Sequence, residues 1–252
     1  HLLGRRQRQM CIRDRFKAKS LTGVMNKCKN AEYRFGTTGT LDGTETNKLV
    51  LEGLFGLTHK VIATKDLQVR GTLAGLDINV LLLRYHNDIC HNMKGKTYAE
   101  EVDFLVRHEK RNNFIKKLTL DLKGNSLVLF QYVEKHGKEL FDIIRKDADK
   151  NRKVFYVSGE VDAKDREQIR GVVESQKDAI IVASLGTFST GINIKNLHNI
   201  VFASPSKSQI KVLQSIGRGL RQSDDGSNTT LYDIADAVSY THLRAHETRR
   251  YR

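Results

Sequence analysis

Ile180-Ile181-Val182-Ala183-Ser184-Leu185-Gly186-Thr187-Phe188-Ser189-Thr190-Gly191 leads through Asn199-Ile200-Val201-Phe202-Ala203 to Gln214-Ser215-Ile216-Gly217-Arg218-Gly219-Leu220-Arg221. The first four residues are the short apolar run of a buried parallel strand, and a loop of small and hydroxyl-bearing residues follows. Such a loop can present backbone N–H groups to phosphate. Residues 199–203 repeat the strand pattern, Pro205 ends it, and Ser206 with Gln209 has the spacing of a capping box that opens a helix. At about 100° per residue, Lys207, Lys211, Gln214, Arg218 and Arg221 share one stripe of that helix, with Ile210, Leu213, Ile216 and Leu220 opposite.

On its own such a stripe reads as a solvated basic helix face. Three features point elsewhere. Gln214–Arg221 has the form Q-x-x-G-R-x-x-R; its glycines weaken a helix by about 1 kcal/mol each relative to Ala, as close approach by another group would require; and a phosphate-compatible loop precedes it in strand–loop–strand–helix order. These residues resemble the superfamily 2 helicases. Val182–Ile194 is similar to their motif V and Gln214–Arg221 to motif VI, with a likeness to phage recombination helicases that extends through Leu197 and His198.

The resemblance implies a RecA-like α/β lobe that closes one side of an ATP cleft. It implies that Arg221 is an arginine finger, Arg218 a second cation on the phosphates and Gln214 a polar positioner. Gly191, Asn193 and Gly217 would lie beside the nucleotide, and Ser184, Thr187, Thr190, Phe130 and Gln131 near the nucleic-acid backbone. Tyr33-Arg34-Phe35-Gly36-Thr37-Thr38-Gly39-Thr40 reads as a strand running into a small-residue turn and resembles motif III, which would make Thr38, Gly39 and Thr40 a coupling element between the ATP and nucleic-acid sites. The implied cofactor is ATP with Mg2+. The implied partner is DNA or RNA, single-stranded or branched, bound by a monomer.

Upstream of the decisive stretch, Ser126–Gln131 begins a regular alternation. Helix Glu134–Asp147, strand Lys153–Val157, helix Ala163–Ser175 and strand Ala179–Ala183 follow, the pattern of a parallel sheet with helices on both faces. Ligands of such sheets sit at the carboxyl ends of the strands, where the loop after Ala183 falls. Tyr156-Val157-Ser158-Gly159 with Arg166 resembles the family's strand-end glycine and helical arginine, a position where a structural ion pair fits equally well. Asn47–Gly56 reads as a helix, Leu76–Tyr85 as an apolar strand and Tyr98–Leu122 as a helical stretch broken near His108. The expected organisation is the end of a first RecA-like lobe over residues 16–75, a bridge over 76–125 and a second lobe over 126–237.

Composition sets outer bounds. The chain's 252 residues, 39% hydrophobic, can bury one substantial core or two smaller ones. No secretory signal pattern or membrane-length apolar run is present, and Cys11, Cys28 and Cys90 form no C-x-x-C pair, so a reduced cytoplasmic setting is expected. The net charge is +14, which points to a polyanion. Half of it lies in residues 1–15, with five Arg and one Asp, and residues 238–252, with four Arg and one Glu. Both flanks resemble translated sequencing-adapter read-through and are expected to stand outside the fold.

Gly95-Lys96-Thr97 imitates the end of a phosphate-binding loop, but Cys90 stands where its first Gly is needed, and no Asp-Glu dipeptide supplies an acidic box. ATP turnover is therefore not expected of this polypeptide alone. His86, Cys90 and His91 lack a fourth soft ligand at zinc-like spacing. The alternative to a helicase is a non-enzymatic nucleic-acid-binding module of RecA-like fold; the paired arginines of motif VI favour the enzyme.

Overall fold

The computed structural model describes residues 23, 25–28, 30–31, 33–36, 45–59, 61–62, 66–67, 70, 75–159, 163–187, 194, 196–205 and 228–238. They fall into two compact units, residues 1–63 and 64–252. In the first, helix α1 (Glu45–Phe55) buries Leu51 and Leu54 against Met25, while Arg34 donates to the Cys28 carbonyl at 2.8 Å. Residues 33–36, expected as a strand, pair with no strand among the described residues, and Thr38, Gly39 and Thr40 lie outside them.

The second unit contains one all-parallel sheet. Its strands are β1 (Leu76–Arg84), β2 (Ser126–Phe130), β3 (Val154–Val157), β4 (Ile180–Ser184), β5 (Asn199–Phe202) and β6 (Thr229–Ala237), in the order β1-β6-β5-β2-β4-β3. All residues of β2, β4 and β5 are buried, as expected of central strands covered on both faces. Alternation then divides them. Leu127, Leu129, Ile181, Ala183, Ile200 and Phe202 pack on one face with Val173 of α6 (Ala163–Glu174). Val128, Phe130, Ile180, Val182 and Val201 pack on the other with Ile115 of α4 (Glu109–Asp121) and with Leu140 and Ile144 of α5 (Lys138–Asp147). The helices-on-both-faces architecture expected from sequence is the one observed.

Leu76–Arg84, read from sequence as the start of a bridge, lies in this sheet as its edge strand. It pairs with β6 over nine residues, from Leu76 opposite Thr229 to Arg84 opposite Ala237. Helices α2 (Asn87–Met93) and α3 (Tyr98–Arg107) follow it. Gly95–Thr97 therefore joins helix to helix rather than strand to helix, and Thr97 is a helix cap whose hydroxyl accepts from the Glu100 N–H while Glu100 reaches back to the Thr97 N–H at 2.8 Å. The expected break falls at His108, whose extended backbone separates α3 from α4. No described helix is long and apolar enough to cross a membrane.

At the amino ends of the strands a single buried side chain, Asn125, holds three segments together. Its amide donates to the Gln176 and Asn196 carbonyls at 2.9 and 3.0 Å, and its Oδ1 accepts from the Ala179 N–H at 2.9 Å. The preceding Gly124 has φ +82°, and a Cβ there would meet the His198 ring at 2.9 Å, so only glycine admits the turn that delivers Asn125. Replacing Asn125 by Ala strands one N–H and two carbonyls at once. The expected loss is about 2–4 kcal/mol of stability, measured by urea denaturation; a loss under about 1 kcal/mol would mean that these groups find other partners.

Candidate functional site at the carboxyl edge of the sheet

The loop after β4 opens with one helical turn, Leu185–Thr187. Ser184 donates its hydroxyl to Thr187 Oγ1 at 2.7 Å and accepts from the Thr187 N–H at 3.2 Å, as a cap does at a helix start. Both side chains are buried, so they shape the loop from beneath. Thr190, Gly191 and Asn193, and the entire segment bearing Gln214, Gly217, Arg218 and Arg221, lie outside the described residues.

After β2 the chain divides its labour. Phe130, expected near nucleic acid, is fully buried: its ring stacks on Tyr156 at 5.7 Å and 9°, and Gly137 approaches so closely that a Cβ there would sit 2.4 Å from it. It is a core residue because the neighbouring positions of β2 face opposite sides of a sheet covered on both. Gln131 is exposed. Of the pair, only Gln131 can meet a ligand.

Beneath Gln131 runs a buried hydrogen-bonded chain that the sequence reading does not anticipate. The Gln131 N–H donates to Ser204 Oγ at 3.0 Å, Ser204 Oγ lies 2.8 Å from His136 Nδ1, and His136 Nε2 lies 3.2 Å from Asn112 Oδ1. Asn112 Nδ2 donates to the Val106 carbonyl at 3.0 Å, which leaves Oδ1 as acceptor. His136 Nε2 therefore carries the proton, and Nδ1 accepts from the Ser204 hydroxyl. A one-turn π-helix, Val133–Gly137, brings His136 under the strand ends. The chain thus ties the residue after β2 to Ser204, the residue before Pro205.

A second buried cluster lies alongside. Arg111 on α4 donates from Nε and Nη2 to the two carboxylate oxygens of Asp236 at 2.9 and 3.0 Å, and from Nη1 to the Ala203 carbonyl at 2.7 Å. Both side chains have 0% exposure. Tyr85, at the end of β1, donates its hydroxyl to the same carboxylate at 2.7 Å. Burial, followed by the charge and hydrogen bond of Asp236, pushes the Tyr85 hydroxyl far above the ordinary phenol value. The signal available in sequence is a charge out of place: Arg111 stands on the buried stripe that continues through Ile115 and Thr119.

Burial, with Arg111 second, holds His136 down from 6.5 to about 3. The unfolded imidazole binds a proton below about 6.5, and the folded one does not until about 3, so the unfolded state takes up the extra proton and stability falls as pH drops through that interval. Between pH 7 and 5 this group alone should remove about 2 kcal/mol. A His136→Asn chain, less stable at pH 7, should lack that part of the slope in denaturation curves taken across the interval.

Known proteins resemble this chain over most of its length. The helicase conserved C-terminal domain matches residues 109–223. The ATP-dependent DNA helicase UvsW of Enterobacteria phage T4 is 39% identical over 236 residues, 92% of this chain and 46% of that protein. The crystal structure of T4 UvsW matches at a TM-score of 0.57 and 38% identity, covering 87% of this chain and 42% of that one. Dbp5 of S. cerevisiae, solved bound to RNA and ADP BeF3, gives a TM-score of 0.59 at 11% identity over 92% of this chain and 54% of that one, a likeness of fold alone. The chain spans about half the length of the curated relative it matches. The chain thus carries the helicase conserved C-terminal domain over residues 109–223, on an all-parallel sheet, and is homologous over 92% of its length to about half of a phage ATP-dependent DNA helicase.

Proposed function

We propose that this chain supplies the second RecA-like lobe, residues 126–237 with β1 at its edge, of an ATP-dependent motor that moves on DNA or RNA. The observation that carries the reading is its 39% identity, over 92% of its length, to an ATP-dependent DNA helicase. In this reading the motor hydrolyses ATP with Mg2+, residues 16–75 are the end of a first lobe, and Thr38, Gly39 and Thr40 couple ATP hydrolysis to nucleic-acid binding. Arg221 and Arg218 meet the phosphates, Gln214 positions them, and Gly191, Asn193 and Gly217 lie beside the nucleotide. Thr190 and Gln131 contact the backbone of a single-stranded or branched substrate, and Ser184 and Thr187 support the start of the loop after β4. The protein works as a monomer in the cytoplasm.

A planar guanidinium suits a transferring phosphoryl group because it donates two parallel hydrogen bonds to oxygens on which charge is developing. Such a residue is worth about 10³- to 10⁵-fold in rate, whereas an exposed helix-face arginine contributes at most about 1 kcal/mol to anything. In the protein comprising this chain and its amino-terminal lobe, Arg221→Lys should leave ATP and nucleic-acid affinity within a few fold and remove most nucleic-acid-stimulated turnover. Wild-type turnover in that variant would exclude Arg221 as the finger. The 252-residue polypeptide alone should release no phosphate from ATP above background, since it holds neither a phosphate-binding loop nor an acidic box. Magnesium-dependent turnover by it, abolished by Arg221→Ala, would overturn that expectation.

A further inference from the structure

At the carboxyl end of β1 lies a cavity of about 760 Å³, walled by Tyr85, Phe104 and His108, with Arg84, Arg107 and Lys110 also lining it. Its three rings form one cluster: Tyr85 and His108 meet edge to face at 5.2 Å, Phe104 and His108 at 5.1 Å, and Tyr85 and Phe104 at 6.3 Å. The wall is held in place, because the Tyr85 hydroxyl is tied to Asp236 and Asp236 to Arg111. The charges favour an anion. Arg107 is paired with Asp103, but among the described residues Arg84 and Lys110 have no ion-pair partner, and Glu109 is the single acid lining the cavity.

We propose that this cavity receives an unpaired base of a single-stranded nucleic acid, with the base against Tyr85 and Phe104 and the adjoining phosphates against Arg84 and Lys110. The proposal rests on the nucleic-acid reading above and extends it to a site outside motifs III, V and VI. Aromatic faces beside cations that have no ion-pair partner among the described residues match a ligand that is itself an aromatic ring on an anionic backbone. The volume is within the range of small-molecule pockets and holds a nucleotide with room to spare. His108 adds a donor: its Nδ1 accepts from the Arg111 N–H at 3.2 Å, so Nε2 carries the proton of the neutral ring. The position also fits a continuous path. From β1 to β2, where Gln131 emerges, is three inter-strand spacings, about 14 Å, along the same edge. Arg111 spans two of those three spacings, holding Tyr85 through Asp236 on one side and the Ala203 carbonyl, next to Ser204, on the other.

The test uses the full chain, a labelled single strand of about 20 thymidylates, and an abasic strand of equal length and charge, with binding read by fluorescence anisotropy. The wild-type chain should prefer the thymidylate strand by about 10-fold, in line with stacking of one base. Phe104→Leu, which keeps an apolar side chain but removes the ring, should erase that preference and leave abasic affinity within about 2-fold. Arg84→Gln should weaken both strands together. Irradiating the wild-type chain with a 5-iodouracil strand should give adducts at Tyr85 or Phe104, a readout that needs no variant to fold. Preference retained in Phe104→Leu, or adducts confined to Gln131 and the loop after β4, would overturn the proposal while leaving the nucleic-acid reading intact, and the cavity would then suit an apolar protein segment. A wild-type chain that binds neither strand would overturn both.

Discussion

Arg111 and Asp236, two charged side chains with no exposed surface, meet in a bidentate pair at the carboxyl edge of the sheet, and the arrangement of that edge depends on them. Taking both ions out of water costs several kcal/mol each, and their mutual attraction repays it only when the remaining donors and acceptors are also satisfied. Here they are satisfied by groups that define the edge. The third guanidinium nitrogen takes the Ala203 carbonyl at the end of β5, and the carboxylate takes the Tyr85 hydroxyl at the end of β1. One pair thus fixes α4, β6, β5 and β1 relative to one another.

The neighbouring chain through His136 does comparable work with neutral groups. Each member has one donor sense, from Gln131 through Ser204 and His136 to Asn112, so the backbone after β2 and the residue before Pro205 shift together or not at all. A neutral imidazole suits this place because a charged one would be buried and would add a second cation beside Arg111.

Much of this was legible in the sequence, for a physical reason. Ser126–Phe130, Ile180–Ser184 and Asn199–Phe202 are covered on both faces, so burial leaves an apolar run and the helices between them leave a longer polar–apolar rhythm. Thr229–Ala237 was not legible as a strand, although it makes the longest pairing in the sheet. Asp233 and Asp236 interrupt its apolar run, and nothing local reveals that Asp236 is matched by a guanidinium 125 residues away. The same blindness hid the edge position of Leu76–Arg84, which can belong to the sheet only if β6 is there to receive it. Phe130 misled in the opposite direction. An aromatic residue at a strand end resembles a ligand contact, and only the Tyr156 ring and the bare Cα of Gly137 show that its surface is already used.

The polar pair also explains how a strand with two acids acquires a unique register. Ile234 and Asp236 lie on the same face of β6, the face that packs with Ile115 of α4, while Leu231 packs on the other. A slip of one residue would turn Ile234 and Asp236 together to the opposite face, where Arg111 does not reach, and would leave two buried charges unpaired. Apolar side chains of similar volume could fill the space as well, and replacing a buried ion pair in that way is often neutral or stabilising. They would not penalise the slip so heavily. The pair therefore does more to exclude wrong registers than to add stability. That exclusion matters at this edge in particular, because a shift of about 3.3 Å along β6 would move the carboxylate away from Tyr85, Arg111 and, through Arg111, the end of β5 in a single step.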